Sequence, residues 1–313
     1  MPDVITLGET MAVLSPSRPG RLANSRSLHL GIGGAESNLA ISLARLGVAS
    51  GWISALGQDD LGDFVLNTVR GEGVDCSQVT RVAAPTGLYL RDEVGNGQVR
   101  AFYYRSGSAA SQMAAGQLSP DYLRRAKVLH LSGITMALSA TCLELVRSAA
   151  AMARRCGVTV SLDVNYRSKL WPPERAYAAI DALLPNVDIL FAGDDEAELL
   201  WGEGGDAWLG RMAAAGPAEV ILKRGALGAR GWHSGRIVKA PGLLVQVRDT
   251  VGAGDAFAAG YLAARSWNLD FAERLRYGNA MGAHTVSTFG DYENAPRREE
   301  LDAFMEQRTT IGR

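Results

Sequence analysis

The run Asp249-Thr250-Val251-Gly252-Ala253-Gly254-Asp255-Ala256-Phe257 sets three small residues and a carboxylate directly before an Ala-rich helical stretch, Ala256–Arg265. Small side chains at 252–254 let the backbone turn tightly and bring consecutive N–H groups toward one point. Those amides would lie at a helix N-terminus, where unpaired donors and the helix dipole both favour an anion. Asp255 closes the turn beside that anion site. An anion hole with an adjacent base suits phosphoryl transfer to an alcohol: the amides of Gly252, Ala253 and Gly254 hold the transferring oxygens, and the carboxylate accepts the hydroxyl proton. The same residues would equally make a plain Gly-rich turn with Asp255 capping a helix.

Other nucleotide signatures fail. No GxxxxGK[ST] run occurs, and Gly31-Ile32-Gly33-Gly34-Ala35-Glu36 lacks the glycine that a dinucleotide fingerprint needs at its sixth place. HRD, DFG and GxSxG are absent as well. A second pattern comes from Arg100-Ala101-Phe102-Tyr103-Tyr104-Arg105, where the two-residue period of a strand puts Tyr103 and Arg105 on one face and Phe102 and Tyr104 on the other. Tyrosine and arginine together suit a polar ligand with a carboxylate, which a guanidinium grips in a fork. Arg167, just past a strand-like run, offers a second positive group. Two arginines favour a sugar acid over a neutral sugar, unless Arg105 is only the solvated charge of an edge strand.

Short β-branched runs alternate with helical stretches and would carry these residues. Val4–Leu7, Trp52–Ala55, Val128–Leu131, Val158–Asp163, Ile189–Ala192 and Val220–Lys223 read as buried strands. The clearest helix is Ser139–Cys156, with Ser139 as N-cap and Gly157 following as the stop. Such alternation predicts a parallel sheet covered by helices on both faces. Two regions break the rhythm, about 10–32 and about 86–106, and read as a small antiparallel sheet projecting from the body, with Gly95-Asn96-Gly97 as a hairpin turn. Such a sheet would serve as a lid or as a contact between copies of the chain.

Composition narrows the class. The chain has 313 residues, 47% hydrophobic and 21% charged, enough for a sizeable core. With 32 basic against 33 acidic side chains and no basic run, nucleic acid and anionic membrane are not expected partners. Cys76, Cys142 and Cys156 show no paired spacing, and His29, His130, His233 and His284 are scattered, so neither disulfides nor a zinc site is expected. Met1–Leu7 enters a strand-like run with no basic leader, and no apolar stretch reaches a membrane span of about 18 residues. The cytoplasm is the expected compartment.

The segment from Asp249 to Gly260 resembles the C-terminal signature of the PfkB, or ribokinase-like, carbohydrate kinases. Gly33-Gly34-Ala35-Glu36-Ser37-Asn38-Leu39-Ala40, with Gly47 and Gly57 beyond it, resembles the N-terminal signature, except that Glu36 stands where the strict pattern prefers a small residue. The resemblance spans essentially the whole chain. It implies one ribokinase-like α/β catalytic domain over 1–313, a three-layer sandwich with a mainly parallel central sheet and a small β-sheet lid. Thr86-Gly87-Leu88-Tyr89, Phe102–Ala109 and Asp163-Val164-Asn165-Tyr166-Arg167 with Leu170-Trp171 are most similar to the branch whose acceptor is 2-keto-3-deoxygluconate. Another same-fold sugar kinase, for fructose or a related keto-deoxy acid, and a catalytically silent sugar-binding protein stay open.

The resemblance further implies ATP and Mg²⁺, with a monovalent cation such as K⁺ near Asp249 as an open question. Asp255 is implied as catalytic base. Asn165, Arg167, Lys223, Gly225, Gly228, Gly252, Gly254 and Asn279 are implied on the nucleotide side. Gly34, Tyr89 and Asp291 are implied beside the acceptor, with Tyr103, Arg105 and Arg167. Glu196 keeps the acidic place of an Asn-x-x-Glu stretch that acts near the metal in many relatives, through water, but Gly193 replaces the Asn. Read without the resemblance, Asn279 is an exposed helix residue and Asp291 a loop carboxylate. Glu9 faces the same area without an assigned role. A homo-oligomer, dimer or larger, is expected.

Overall fold

In this computed structural model all residues are described except 19, 94–98, 289 and 312–313. Among the described residues, thirteen strands form two sheets. In chain order they are β1 Val4–Leu7, β2 Met11–Pro16, β3 Leu28–Gly33, β4 Ser50–Gly57, β5 Val79–Val82, β6 Leu88–Glu93 and β7 Val99–Tyr104, then β8 Val128–Ser132, β9 Thr159–Asp163, β10 Ile189–Gly193, β11 Glu219–Lys223, β12 Ala229–His233 and β13 Arg236–Ala240. The large sheet runs β13-β12-β11-β10-β9-β8-β1-β4-β5 and is parallel from β11 to β5; β12 and β13 add on antiparallel.

Alternation along each strand explains why both faces are covered. Ile5, Leu7, Leu129, Leu131, Leu190, Ala192, Val220 and Leu222 pack into one core with the helices Ala140–Arg155, Pro173–Asp181 and Gly205–Ala215. Val4, Val128, Ile189, Phe191 and Ile221 point the other way, into the helices Ala35–Arg45, Ala253–Ser266 and Phe271–Val286. Strands buried on both faces read as near-continuous apolar runs, which is why these were visible in the sequence. The expected helix is Ala140–Arg155: the Ser139 side chain accepts from the Cys142 N–H, and Gly157 follows at φ +72°. The three-layer arrangement is the one expected.

The two regions that break the rhythm form the second sheet, ordered β3-β2-β6-β7. Pairing is antiparallel within β2–β3 and within β6–β7, as expected, but β2 and β6 join side by side in parallel. The reason is topological: β2 leaves and β6 returns on separate excursions from the body, so no hairpin connects them. The Gly95-Asn96-Gly97 turn lies outside the described residues.

Because β1, β8, β9, β10 and β11 run parallel, their C-terminal ends share one edge of the large sheet. Strand order reverses between β8 and β1, and a crevice opens above such a switch point. Glu9, Ser132, Asn165, Glu196 and Lys223 stand at or just past those strand ends.

Candidate active site

The helix Ala253–Ser266 begins at Gly252, whose φ of +74° is left-handed. A side chain there would be strained, and its Cβ would come within 2.7 Å of the Asp291 carbonyl oxygen. The amides of Ala253, Gly254 and Asp255 occupy the first turn, where helix N–H groups have no intrahelical partner. Asp255 does not cap this helix. Its Oδ1 accepts from Asn165 Nδ2 at 3.2 Å and its Oδ2 from Asn38 Nδ2 at 3.4 Å, so one asparagine amide holds each carboxylate oxygen. Asn165 holds φ +39°, a conformation asparagine tolerates better than most residues. Burial first, and then the neighbouring Asp163, hold the Asp255 carboxyl above the usual aspartate range, while Arg167 and Lys223 pull it down.

Asp255 lines a cavity of about 720 Å³ between the two sheets. Every residue expected on the acceptor side lines it: Gly34, Tyr89, Tyr103, Arg105, Arg167 and Asp291. The two-residue period holds, since Tyr103 and Arg105 face the cavity while Phe102 and Tyr104 are exposed on the opposite side. Tyr89 pairs with Tyr103 across β6–β7, with ring centroids 5.4 Å apart. Gly34 is required by close approach, because a Cβ would stand 2.9 Å from both Thr10 Cα and Thr10 Oγ1. Asp291 is not a plain loop carboxylate: Tyr89 Oη donates to its Oδ2 at 3.1 Å, and burial pushes it up to about 7 against the pull of Arg91.

Glu9, left without a role on the sequence, is 2% exposed and forms an ion pair with Arg105, while its Oε1 accepts from Ser108 Oγ at 2.5 Å. Arg105 therefore enters the cavity with its charge already matched. Arg167 is exposed, donates to its neighbour's carbonyl Tyr166 O at 3.0 Å, and is the freer of the two guanidiniums.

Among the residues expected on the nucleotide side, Lys223 Nζ donates to both oxygens of Asp163, at 2.8 and 2.7 Å, and stands 3.3 Å from where a Cβ on Gly254 would be. Burial works against its charge, but Asp163, Glu196 and Asp255 together hold it above its usual range. Gly225 and Gly228, at φ +53° and +83°, shape the turn between β11 and β12. Asn279 is 6% exposed, a correction to its reading as a surface residue. Its Nδ2 donates to the carbonyls of Ala240 and Pro241, both at 3.0 Å, which shapes the chain leaving β13 beside Gly228. These three residues lie apart from the acceptor cavity.

Glu196 is held by two backbone donors, Tyr166 N–H to Oε1 and Gly193 N–H to Oε2, both at 2.7 Å. Burial raises its carboxyl, with Lys223 opposing. No cluster of three His, Cys, Asp or Glu side chains suited to a metal occurs among the described residues. This donor set does not make a protein cage; it suits an ion carried in on phosphate oxygens and reached through water.

Sequence reasoning missed three further groups. Lys169 lines the cavity, with its Nζ 5.6 Å from the Tyr103 ring centroid. Arg91 forms an ion pair with Asp249 and approaches Asp291. Glu36 is 1% exposed; its Oε1 accepts from Ser132 Oγ at 2.5 Å and Thr135 Oγ1 at 2.7 Å, and burial pushes it up to about 7. Only Glu36 left a signal, as the bulky exception in its motif.

A buried carboxylate beside a helix N-terminus, set at the switch point of a parallel sheet and roofed by a second sheet, is an arrangement suited to phosphoryl transfer to a small molecule. The chain belongs to the pfkB family of carbohydrate kinases, whose pattern it matches over residues 1–298. It is 37% identical to the 2-dehydro-3-deoxygluconokinase of Bacillus subtilis (strain 168), covering 99% of this chain and 97% of that one. It is 32% identical to the 2-dehydro-3-deoxygalactonokinase of Haloferax volcanii over 92% of each. Among solved structures it superposes on a PfkB protein from Polaromonas sp. JS666 with a TM-score of 0.89 at 36% identity, covering 97% of this chain and 100% of that one. No helix among the described residues is long and apolar enough to cross a membrane.

Proposed function

We propose that this chain transfers the γ-phosphoryl group of ATP to the terminal, 6-hydroxyl of 2-keto-3-deoxygluconate (2-dehydro-3-deoxygluconate). The observation that carries the proposal is the Asp255 carboxylate, set between two asparagine amides beside a helix N-terminus, facing a cavity that also holds Arg105, Arg167, Tyr89 and Tyr103. The full-length similarity to the Bacillus subtilis enzyme supports the acceptor assignment. Arg167 meets the acceptor carboxylate, joined by Arg105 as its pairing with Glu9 loosens, and Gly34, Tyr89 and Asp291 orient the hydroxyls.

Asp255 takes the hydroxyl proton as the oxygen attacks in line, and its raised affinity for protons suits a base working near neutral pH. The amides of the 252–254 turn meet charge on the γ-phosphoryl oxygens. Asn165, Arg167 and Lys223 serve the phosphates, while Gly225, Gly228 and Asn279 shape the backbone that accepts the nucleotide. Glu196 would reach Mg²⁺ through water, and the ion would supply positive charge to offset that of the phosphates. Closure of the small sheet, β2–β3 with β6–β7, excludes water.

The chain acts as one catalytic domain, in the cytoplasm. The exposed Phe102 and Tyr104 on the outer face of the small sheet support self-association as a dimer or larger assembly. Dependence on a monovalent cation near Asp249 is read by adding K⁺ to the assay. The test is ADP release with Mg-ATP against 2-keto-3-deoxygluconate, its galactonate epimer, fructose, ribose and gluconate. The ketodeoxy acids are expected to lead, and Asp255→Asn to lower kcat by a factor of about 10³ or more, the scale of losing a positioned base with its electrostatics. Preference for a neutral sugar, or near-normal turnover in the variant, would overturn the assignment.

A further inference from the structure

We infer that Arg91 is a positioning residue that ties the small sheet to the anion-binding turn, making closure over the acceptor and shaping of the phosphate site one event. The inference rests on the kinase reading above and concerns how its two substrates communicate. Arg91 follows Tyr89 by two residues on β6, so both side chains leave the same face of the sheet. Its Nη2 donates to Asp249 Oδ2, and its Nη1 lies 3.6 Å from Asp291 Oδ1. Side-chain exposures of 14%, 5% and 9% for Arg91, Asp249 and Asp291 make this a largely buried triad from three separate segments.

Both aspartates reach the phosphate turn, Asp249 through its carboxylate and Asp291 through its backbone. Asp249 Oδ1 accepts from the Val251 N–H at 3.1 Å, the residue just before Gly252. The Asp291 carbonyl oxygen is the atom that a Cβ on Gly252 would strike, so the segment carrying Asp291 packs directly on that turn. Asp291 also takes the hydrogen bond from Tyr89, which lines the acceptor cavity. Buried like charges are tolerated only when a counter-charge is present. Withdrawing the guanidinium with an opening sheet leaves Asp249 and Asp291, with Glu293 nearby, facing one another uncompensated, and the turn loses its brace. Acceptor binding that seats the sheet restores the guanidinium and with it the turn.

The coupling is tested by measuring, on the full chain by titration calorimetry, the affinity of a non-hydrolysable ATP analogue with Mg²⁺, with and without saturating 2-keto-3-deoxygluconate. In the unmodified protein the acceptor should tighten the analogue at least about five-fold, the lower end of common coupling between sites. In Arg91→Met that factor should fall below about two, with each ligand still binding alone. Arg91→Lys should retain an intermediate factor. Asp249→Asn, which keeps an acceptor for the Val251 N–H, should lose coupling as Arg91→Met does, and the double variant should lose no more than either. Loss of a folded thermal transition in Arg91→Met shifts the comparison to Asp249→Asn, expected to fall below about two, with Arg91→Lys between it and the unmodified protein. Full coupling in the variants, or none in the unmodified protein, would overturn the inference. Failure of either ligand to bind the unmodified protein would instead sink the kinase reading beneath it.

Discussion

Replacing Glu36 by glutamine removes a titrating carboxyl from a site that is 1% exposed. Burial raises its pKa from 4.5 to about 7, against the hydrogen bonds from Ser132 and Thr135. The folded protein therefore holds a proton that the unfolded chain releases, so stability falls as pH rises from about 4.5 through 7, opposite to an ordinary paired carboxylate. A shift of that size amounts to about 3 kcal/mol at alkaline pH, most of which lies between pH 5 and pH 8.5. Glu36→Gln keeps the shape and an acceptor for both hydroxyls. Any fixed cost of the amide is the same at both pH values and cancels in the difference. Asp291, also raised to about 7, adds a pH dependence of the same sign to both proteins. The assay is urea unfolding of both proteins at pH 5 and pH 8.5. The variant should gain about 2–3 kcal/mol on the parent between the two. Parallel stability curves would show that Glu36 titrates as a solvated glutamate, and would refute the reasoning.

Two predictions concern the acceptor and the base. Arg167→Ala should raise KM for the sugar acid about ten-fold or more, on the scale of one charge-assisted contact, beyond any loss at the phosphates, which a neutral sugar would share. Arg105→Ala should do the same but also lower the melting temperature, because it strands the buried Glu9; equal losses for charged and neutral acceptors would discard the carboxylate contact. The acid limb of the kcat/KM profile should lie above the usual aspartate range, with activity lost as pH falls through the raised pKa of Asp255. Arg167→Gln should move that limb higher and Asp163→Asn lower, since the first removes a charge that favours ionisation and the second one that opposes it; an unmoved limb in both would point to another titrating group.

Much was legible along the chain because the controlling rules are local. Glycine at 252 answers to a left-handed turn, the two-residue period put Tyr103 and Arg105 on the cavity side, and double-sided burial wrote six strands as apolar runs. The antiparallel additions β12 and β13 and the parallel β2–β6 seam were not legible, since pairing across sheets depends on how separate excursions meet. Asp255 could be named from its turn, but its fixed geometry comes from Asn38 and Asn165, 217 and 90 residues away. Arg91, Glu9 and Asn279 acquire meaning only from partners brought beside them, and the raised pKa values of Glu36 and Asp291 only from being shut away from water. Local sequence sets backbone conformation and which face a side chain leaves; charge pairing and desolvation are properties of the packed interior, and the tertiary structure decided those.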